Sequence, residues 1–200
     1  MAYTGLRVGE VTQFQGRSLK WDGQVPFMLI TLEEGSTKGG AAWAVGIHQH
    51  LIDLGLLDML SAVGDGPAFY TPYPAGTDLR SLKDHRRDDA SADVGEWMLS
   101  VLGEAAPLGR PNHAWRHTFT TLSRSVGMDK EARDFMMGSR SKVDAREGYG
   151  DWPPHVLQRE VKKLPRFDVV EKEWRPSNEV VAASAIRKSG PPRIARRRAR

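Results

Sequence analysis

The 200-residue chain contains no cysteine. This absence excludes disulfide bonds, a thiolate zinc site and a cysteine nucleophile, and it is typical of proteins in a reducing compartment. No apolar run approaches the ~18 residues that a membrane span requires. The N-terminus also lacks the pattern of a signal peptide. We therefore expect a cytoplasmic protein without a membrane segment.

Acidic residues are missing from the C-terminal end. Residues 187–200 contain seven basic side chains and no acid, whereas the whole chain has a formal net charge of +4. Residues 1–186 therefore carry a net charge of −3, and the overall basicity belongs to the end of the chain. Any nucleic-acid binding by the folded part must rest on individually placed arginines rather than on net charge.

The N-terminal half predicts two helical segments on either side of a β-hairpin. Thr4 is the expected N-cap of a first short helix. Val25–Glu33 and Ala41–Ile47 read as strands joined by a Gly-rich turn at 35–40. Leucines at 51, 54, 57 and 60 then recur at helical spacing. Residues 64–78 predict a loop, 79–95 are ambiguous, and 97–102 are expected to form the buried face of a helix.

The C-terminal half predicts three more helices. An apolar stripe at helical spacing, formed by Trp115, Phe119, Leu122 and Val126, indicates a helix over 113–126. Asp129 is the expected cap of a short helix that reaches Met137, and Pro153–Leu164 predicts an amphipathic helix that begins with proline. The fold class that follows is α+β and mostly helical, with a small antiparallel hairpin sheet. We expect a domain over 1–168 and a basic, disordered tail over 169–200.

Three chemically distinct side chains stand out between residues 113 and 149. His113 and Arg116 are three positions apart, so a helix places both on one face. The imidazole can exchange a proton, and the guanidinium matches phosphate oxygens bidentately. Tyr149 lies between two glycines. Together these residues favour attack by a tyrosine on a phosphodiester.

Five segments in order resemble the catalytic domain of the tyrosine recombinases, the phage integrase family. They are Thr4-Gly-Leu-Arg-Val-Gly-Glu10, Lys38 in its turn, His113-Ala-Trp-Arg-His-Thr-Phe119, Met136-Met-Gly138 and Arg146-Glu-Gly-Tyr-Gly150. The resemblance covers residues 4–167. It implies that Arg7 and Arg116 are the catalytic arginines, that Glu10 supports Arg7, and that Lys38 is the hairpin lysine. It also implies that His113 pairs with Arg116 and that Tyr149 is the nucleophile.

The chain departs from the family pattern in two places. Ser139 follows Met137-Gly138 where the family usually has His or Trp, and serine supplies a hydrogen bond but no positive charge. The helical domain that usually precedes the first catalytic arginine is missing, so we expect an isolated catalytic domain, a truncated gene product or a fragment.

The resemblance implies metal-independent cleavage of DNA through a 3′-phosphotyrosyl link. Arg7 and Arg116 would hold the non-bridging oxygens, Lys38 would protonate the leaving 5′-oxygen, and His113 would exchange a proton with the tyrosine. No nucleotide cofactor is expected, because the covalent link conserves the energy of the broken bond. The expected partners are double-stranded DNA and further copies of the chain in a tetramer, in a bacterial, DNA-associated setting.

Each of these residues also has a plainer interpretation. Arg7 and Glu10 could be a surface helix pair, Lys38 a solvated turn lysine, and Tyr149 a loop aromatic. His113 and His117 have the spacing of a helical zinc pair, but Ala114 stands where a metalloprotease has glutamate. Two other functions also stay open: a recombinase remnant that only binds DNA, and a topoisomerase-like relaxing activity.

Overall fold

The computed structural model describes residues 1–31, 42–74, 76–78, 86–106, 111–139 and 152–168, except for the side chain of Arg87. The turn at 35–40, Lys38, Tyr149 and the tail at 169–200 lie outside the described residues. No helix in the described part of the chain is long and apolar enough to cross a membrane.

The first helix, α1, covers Val8–Thr12, and its N-cap is Arg7 rather than the expected Thr4. Thr4 instead lies in a buried turn, where its backbone N–H donates to the carbonyl oxygen of Met1 at 3.1 Å. The backbone N–H of Arg7 donates to the carboxylate of Glu10 at 2.8 Å. The helix start is therefore fixed by a glutamate from inside the helix, not by a threonine before it.

Among the described residues, the sheet has three antiparallel strands rather than the two that the sequence predicts. Strand β1 covers Leu19–Asp22, β2 covers Val25–Ile30 and β3 covers Trp43–Gly46. Asp22 pairs with Val25 across a two-residue loop, and Ile30 pairs with Trp43. Most of β1 is exposed, so it lacks the apolar alternation that would have revealed it.

The leucine repeat after the sheet forms two helices instead of one. Helix α2 covers Gln49–Asp53 and α3 covers Leu56–Val63, and the chain turns between them at Gly55. The described residues from 64 to 78 form a loop, as expected.

Helix α4 covers Arg86–Leu102 and packs on α1, where the hydroxyls of Thr12 and Ser91 lie 3.1 Å apart. The prediction of a buried face at 97–102 is wrong. Met98 is buried, but the side chains of Trp97, Leu99, Val101 and Leu102 are exposed. Hydrophobic spacing alone does not show which faces of a helix meet a neighbour.

Helix α5 covers Pro111–Ser125, α6 covers Lys130–Met136 and α7 covers Pro154–Val161. The carboxylate of Asp129 caps α6 by accepting from the backbone N–H of Ala132 at 2.8 Å, as predicted. The core gathers around β2, β3, α5, α6 and α7, and its fully buried members include Ile30, Val45, Phe119, Met136 and Leu157. The α+β, mostly helical fold class is confirmed.

Candidate active site

Arg7 and Glu10 form a preorganised pair at the start of α1. Glu10 is buried, and its carboxylate accepts from Nη1 of Arg7 at 2.6 Å as well as from the backbone N–H of Arg7. The Arg7 side chain keeps 34% of its surface exposed. The carboxylate of Glu10 holds the guanidinium in one orientation. The exposed part of the Arg7 side chain leaves the guanidinium accessible to a ligand.

Arg116, in the middle of α5, is buried and held by three acceptors from two other segments. Its Nη1 donates to the carbonyl oxygens of Gly5 at 2.7 Å and Met137 at 3.0 Å. Its Nη2 donates to Oγ of Ser139 at 2.6 Å. These bonds join α5 to the turn before α1 and to the end of α6.

Two glycines allow these carbonyl groups to approach Arg116. Gly5 has φ +63, and a Cβ there would lie 2.4 Å from the ring of Phe119. Gly138 also has φ +63, and a Cβ there would lie 2.7 Å from the ring of Trp43. Both positions need a left-handed backbone and the absence of a side chain, which glycine alone provides without strain. This gives a physical reason for Gly5 in the segment Thr4–Glu10 and for Gly138 in the segment Met136–Gly138.

Trp43 on β3 supports the same site and was missed by the sequence analysis. Its indole Nε1–H donates to the carbonyl oxygen of Met136 at 3.1 Å, and its ring covers Gly138. Trp43 therefore fixes the end of α6, from which Met137 and Ser139 reach Arg116. A lone tryptophan in a strand gave no signal of this role.

The positive charges of Arg7 and Arg116 act on each other in this site. Burial lowers the pKa of Arg116, and the nearby positive charge of Arg7 lowers it further. The carboxylates of Glu10 and Asp134 act in the opposite direction but do not restore the ordinary value. Because arginine keeps its proton in proteins, two cations here lie close together with only partial compensation. Such an arrangement favours the binding of an anion.

His113 lies one turn before Arg116 in α5 and is exposed. The edge of its ring meets the ring of His117, with centroids 5.0 Å apart. The two residues that the sequence analysis placed on one face thus share a helix but differ in burial. In the described residues no group of three or more potential metal-ligating His, Asp or Glu side chains occurs.

A second buried polar cluster anchors the turn that carries Gly5. The hydroxyl of Tyr3 lies 2.6 Å from Nδ1 of His50 and accepts from the backbone N–H of Phe167 at 2.9 Å. The Tyr3 ring stacks on His48 at 4.1 Å. His48 in turn lies 3.0 Å from the carbonyl oxygen of Leu164 through Nε2. The N-terminal turn, the start of α2 and the segment after α7 are thereby joined.

This arrangement of helices around a three-stranded sheet is an integrase-like fold. Among solved structures, the chain is similar to the integrase from mycobacterium phage Brujita, with a TM-score of 0.51 and 20% sequence identity. The similarity covers 90% of this chain and 53% of that protein, so the chain spans about half the length of the phage integrase. No family model and no curated protein matches the sequence.

Proposed function

We propose that this chain is the catalytic domain of a tyrosine recombinase, which cuts and rejoins DNA at specific sites. The observation that carries the proposal is that Arg116 donates to the carbonyl oxygen of Gly5, two positions before Arg7. The fold thereby brings two arginines that are 109 positions apart in the sequence into one site. The integrase-like fold supports the same proposal.

The two arginines have the remaining hydrogen-bonding capacity that a phosphodiester needs. Of the five N–H donors of Arg116, three have acceptors in the described structure, and the Nε donor and one Nη2 donor have none among the described residues. Arg7 keeps donors in addition to the one on Glu10. In the proposed complex these groups hold the non-bridging oxygens, whose negative charge grows in the transition state.

Tyr149 is the proposed nucleophile, and its phenolic oxygen attacks the phosphorus as the bond to the 5′-oxygen breaks. The phenol proton passes towards His113, and Lys38 donates a proton to the leaving 5′-oxygen. The product is a 3′-phosphotyrosyl link and a free 5′-hydroxyl, and attack by a 5′-hydroxyl reverses the step. Ser139 orients Arg116 and offers its hydroxyl to the phosphate.

The proposal is tested with a nicked suicide DNA substrate, in which loss of a short strand prevents rejoining. The native chain is expected to accumulate a covalent protein–DNA adduct, and Tyr149→Phe to form none while binding DNA equally well. DNA binding without any adduct from the native chain would contradict the proposal. Relaxation of unrelated supercoiled plasmids would instead indicate a topoisomerase-like activity.

A second candidate, a remnant that only binds DNA, is favoured by one contact. Ser139 brings no charge to the site, and its Oγ accepts a hydrogen bond from Arg116. Ser139→His separates the two candidates, since an added cation at this position is expected to speed adduct formation in an active enzyme and to create none in a remnant. We further propose that residues 1–168 form the catalytic domain, that 169–200 form its tail, and that copies assemble as a tetramer on DNA.

A further inference from the structure

The outer face of α4 exposes an unusual amount of apolar surface. On this face Trp97 is 57% exposed and Val101 63% exposed, whereas Leu99, which is 47% exposed, lies on a different side of the helix. Trp97 and Val101 are four positions apart and therefore adjacent on the helix surface. Isolated exposed apolar residues are ordinary, but two large ones that are adjacent on one face are typical of a surface that another chain segment covers.

The same face is acidic. Asp89 and Asp93 continue the stripe of Trp97 and Val101 towards the helix start, and Glu96 lies beside Trp97. Residues 88–106 contain no lysine or arginine. This charge repels DNA phosphates, and it also repels the same face of a second copy. The chemistry therefore fits a segment that is both basic and partly apolar.

The chain itself contains such a segment. Residues 187–200 carry seven basic side chains and no acid, and Val180, Val181 and Ile186 precede them. We propose that, in the absence of DNA, residues 180–200 dock on the outer face of α4 in the same molecule. The apolar residues cover Trp97 and Val101, and the arginines pair with the carboxylates along the stripe.

The length of the connection permits docking within one molecule. The eighteen residues from 169 to 186 lie between the described domain and the basic block, and they reach about 60 Å when extended. A tether of this size maintains an effective concentration on the order of millimolar. Docking within the molecule therefore prevails over docking on a second copy at ordinary protein concentrations. This proposal does not depend on the recombinase activity.

Because the chain has no cysteine, a disulfide between two introduced cysteines tests the proposal in the full chain. The test variant combines Ser100→Cys at the end of α4 with Ala199→Cys. The control combines Ser125→Cys at the end of α5 with Ala199→Cys, since both serines are exposed in a last helical turn. We expect the test pair to oxidise within one molecule about tenfold faster than the control, and the difference to shrink as salt screens the charges.

Equal rates for the two pairs would overturn the proposal, as would a disulfide that forms chiefly between molecules. A charge exchange supplies the second test. Asp93→Lys with Glu96→Lys is expected to slow formation of the test disulfide. Adding Arg196→Glu and Arg197→Glu to this variant is expected to restore the rate. If the restored charges leave the rate low, ionic pairing between these two segments is excluded.

Discussion

The indole N–H of Trp43 donates to the carbonyl oxygen of Met136, and the next residue along the chain presents its own carbonyl oxygen to Arg116. The strand β3 and the catalytic candidate Arg116 are thus connected through the end of α6. The position of the carbonyl oxygen that holds the guanidinium therefore depends on a tryptophan from a distant part of the sequence.

Trp43→Phe keeps an aromatic ring over Gly138 but removes the hydrogen bond to Met136. Loss of this buried bond is expected to lower the free energy of unfolding by about 1–2 kcal/mol. It should also slow adduct formation more than it weakens DNA binding, because the bonds from Arg116 to the phosphate oxygens strengthen as negative charge grows in the transition state. Urea unfolding, DNA titration and single-turnover cleavage measure the three quantities.

Trp21→Phe is the matched control, since Trp21 is 56% exposed on β1. It is expected to leave all three measurements unchanged. If Trp43→Phe loses stability and DNA affinity in parallel with cleavage, the tryptophan acts on the fold alone and not on the position of Arg116.

Glu10→Gln removes the charged acceptor that orients Arg7. Without that negative charge the site becomes more positive, so affinity for DNA is expected to stay equal or rise. The rate of adduct formation should fall about tenfold, in line with the loss of an orienting charge-assisted bond. A binding isotherm and a cleavage time course on the same DNA separate the two effects.

Glu131→Gln on the exposed surface of α6 removes the same charge elsewhere and serves as the comparison. Loss of affinity together with cleavage in Glu10→Gln, but not in Glu131→Gln, would mean that Glu10 holds the fold of the N-terminal turn rather than the direction of Arg7.

Glu160 on α7 connects two helices through its charge. Burial by itself raises the pKa of Glu160, but hydrogen bonds from the backbone N–H of Asp129 at 2.8 Å and from Lys163 at 2.6 Å lower it below its ordinary value. Because its pKa is lowered on folding, the ionised carboxylate stabilises the folded state at pH values above about 4.3, the ordinary pKa of glutamate. This stabilisation is lost as the pH falls below that value towards the lowered pKa. Glu160→Gln is therefore expected to cost about 1–3 kcal/mol at neutral pH and less in acid.

The free energy of unfolding measured from pH 3 to pH 7 checks this expectation, with the exposed Glu131→Gln as the control. A cost of Glu160→Gln that stays constant across this range would show that the bond to Asp129 does not depend on the charge of the carboxylate.

His48 caps α2 through its neutral ring. Its Nδ1 accepts from the backbone N–H of His50 at 3.0 Å, so the ring proton lies on Nε2 and is donated to Leu164. Burial lowers the pKa of His48 below its ordinary value. The unfolded chain therefore takes up a proton near pH 6.5 that the folded chain does not, and stability is expected to fall as pH falls below that value.

His48→Asn retains a side chain that caps a helix start but does not titrate. It is expected to reduce the loss of stability between pH 7 and pH 5, and His155→Asn at the exposed start of α7 is the comparison variant. An equal dependence on pH in the native chain and in His48→Asn would assign the titration to another group.

The sequence by itself determined the helices whose apolar spacing and caps are local, such as α5 with Phe119 and α6 with Asp129. It also predicted the polar side chains of the candidate site, since Arg7, Glu10, Arg116 and Ser139 are all in the motifs. Caps and periodicity act within about one turn, so neighbouring residues are enough to specify them.

Only the tertiary structure decided which of these groups meet. It placed the carbonyl oxygens of Gly5 and Met137 on Arg116, and it placed Trp43 behind them. It also left the face of Trp97 exposed, where the same apolar spacing predicted a buried one. Hydrophobic spacing gives each helix an apolar face, but the partner of that face and the long-range hydrogen bonds depend on packing between segments that are distant in sequence.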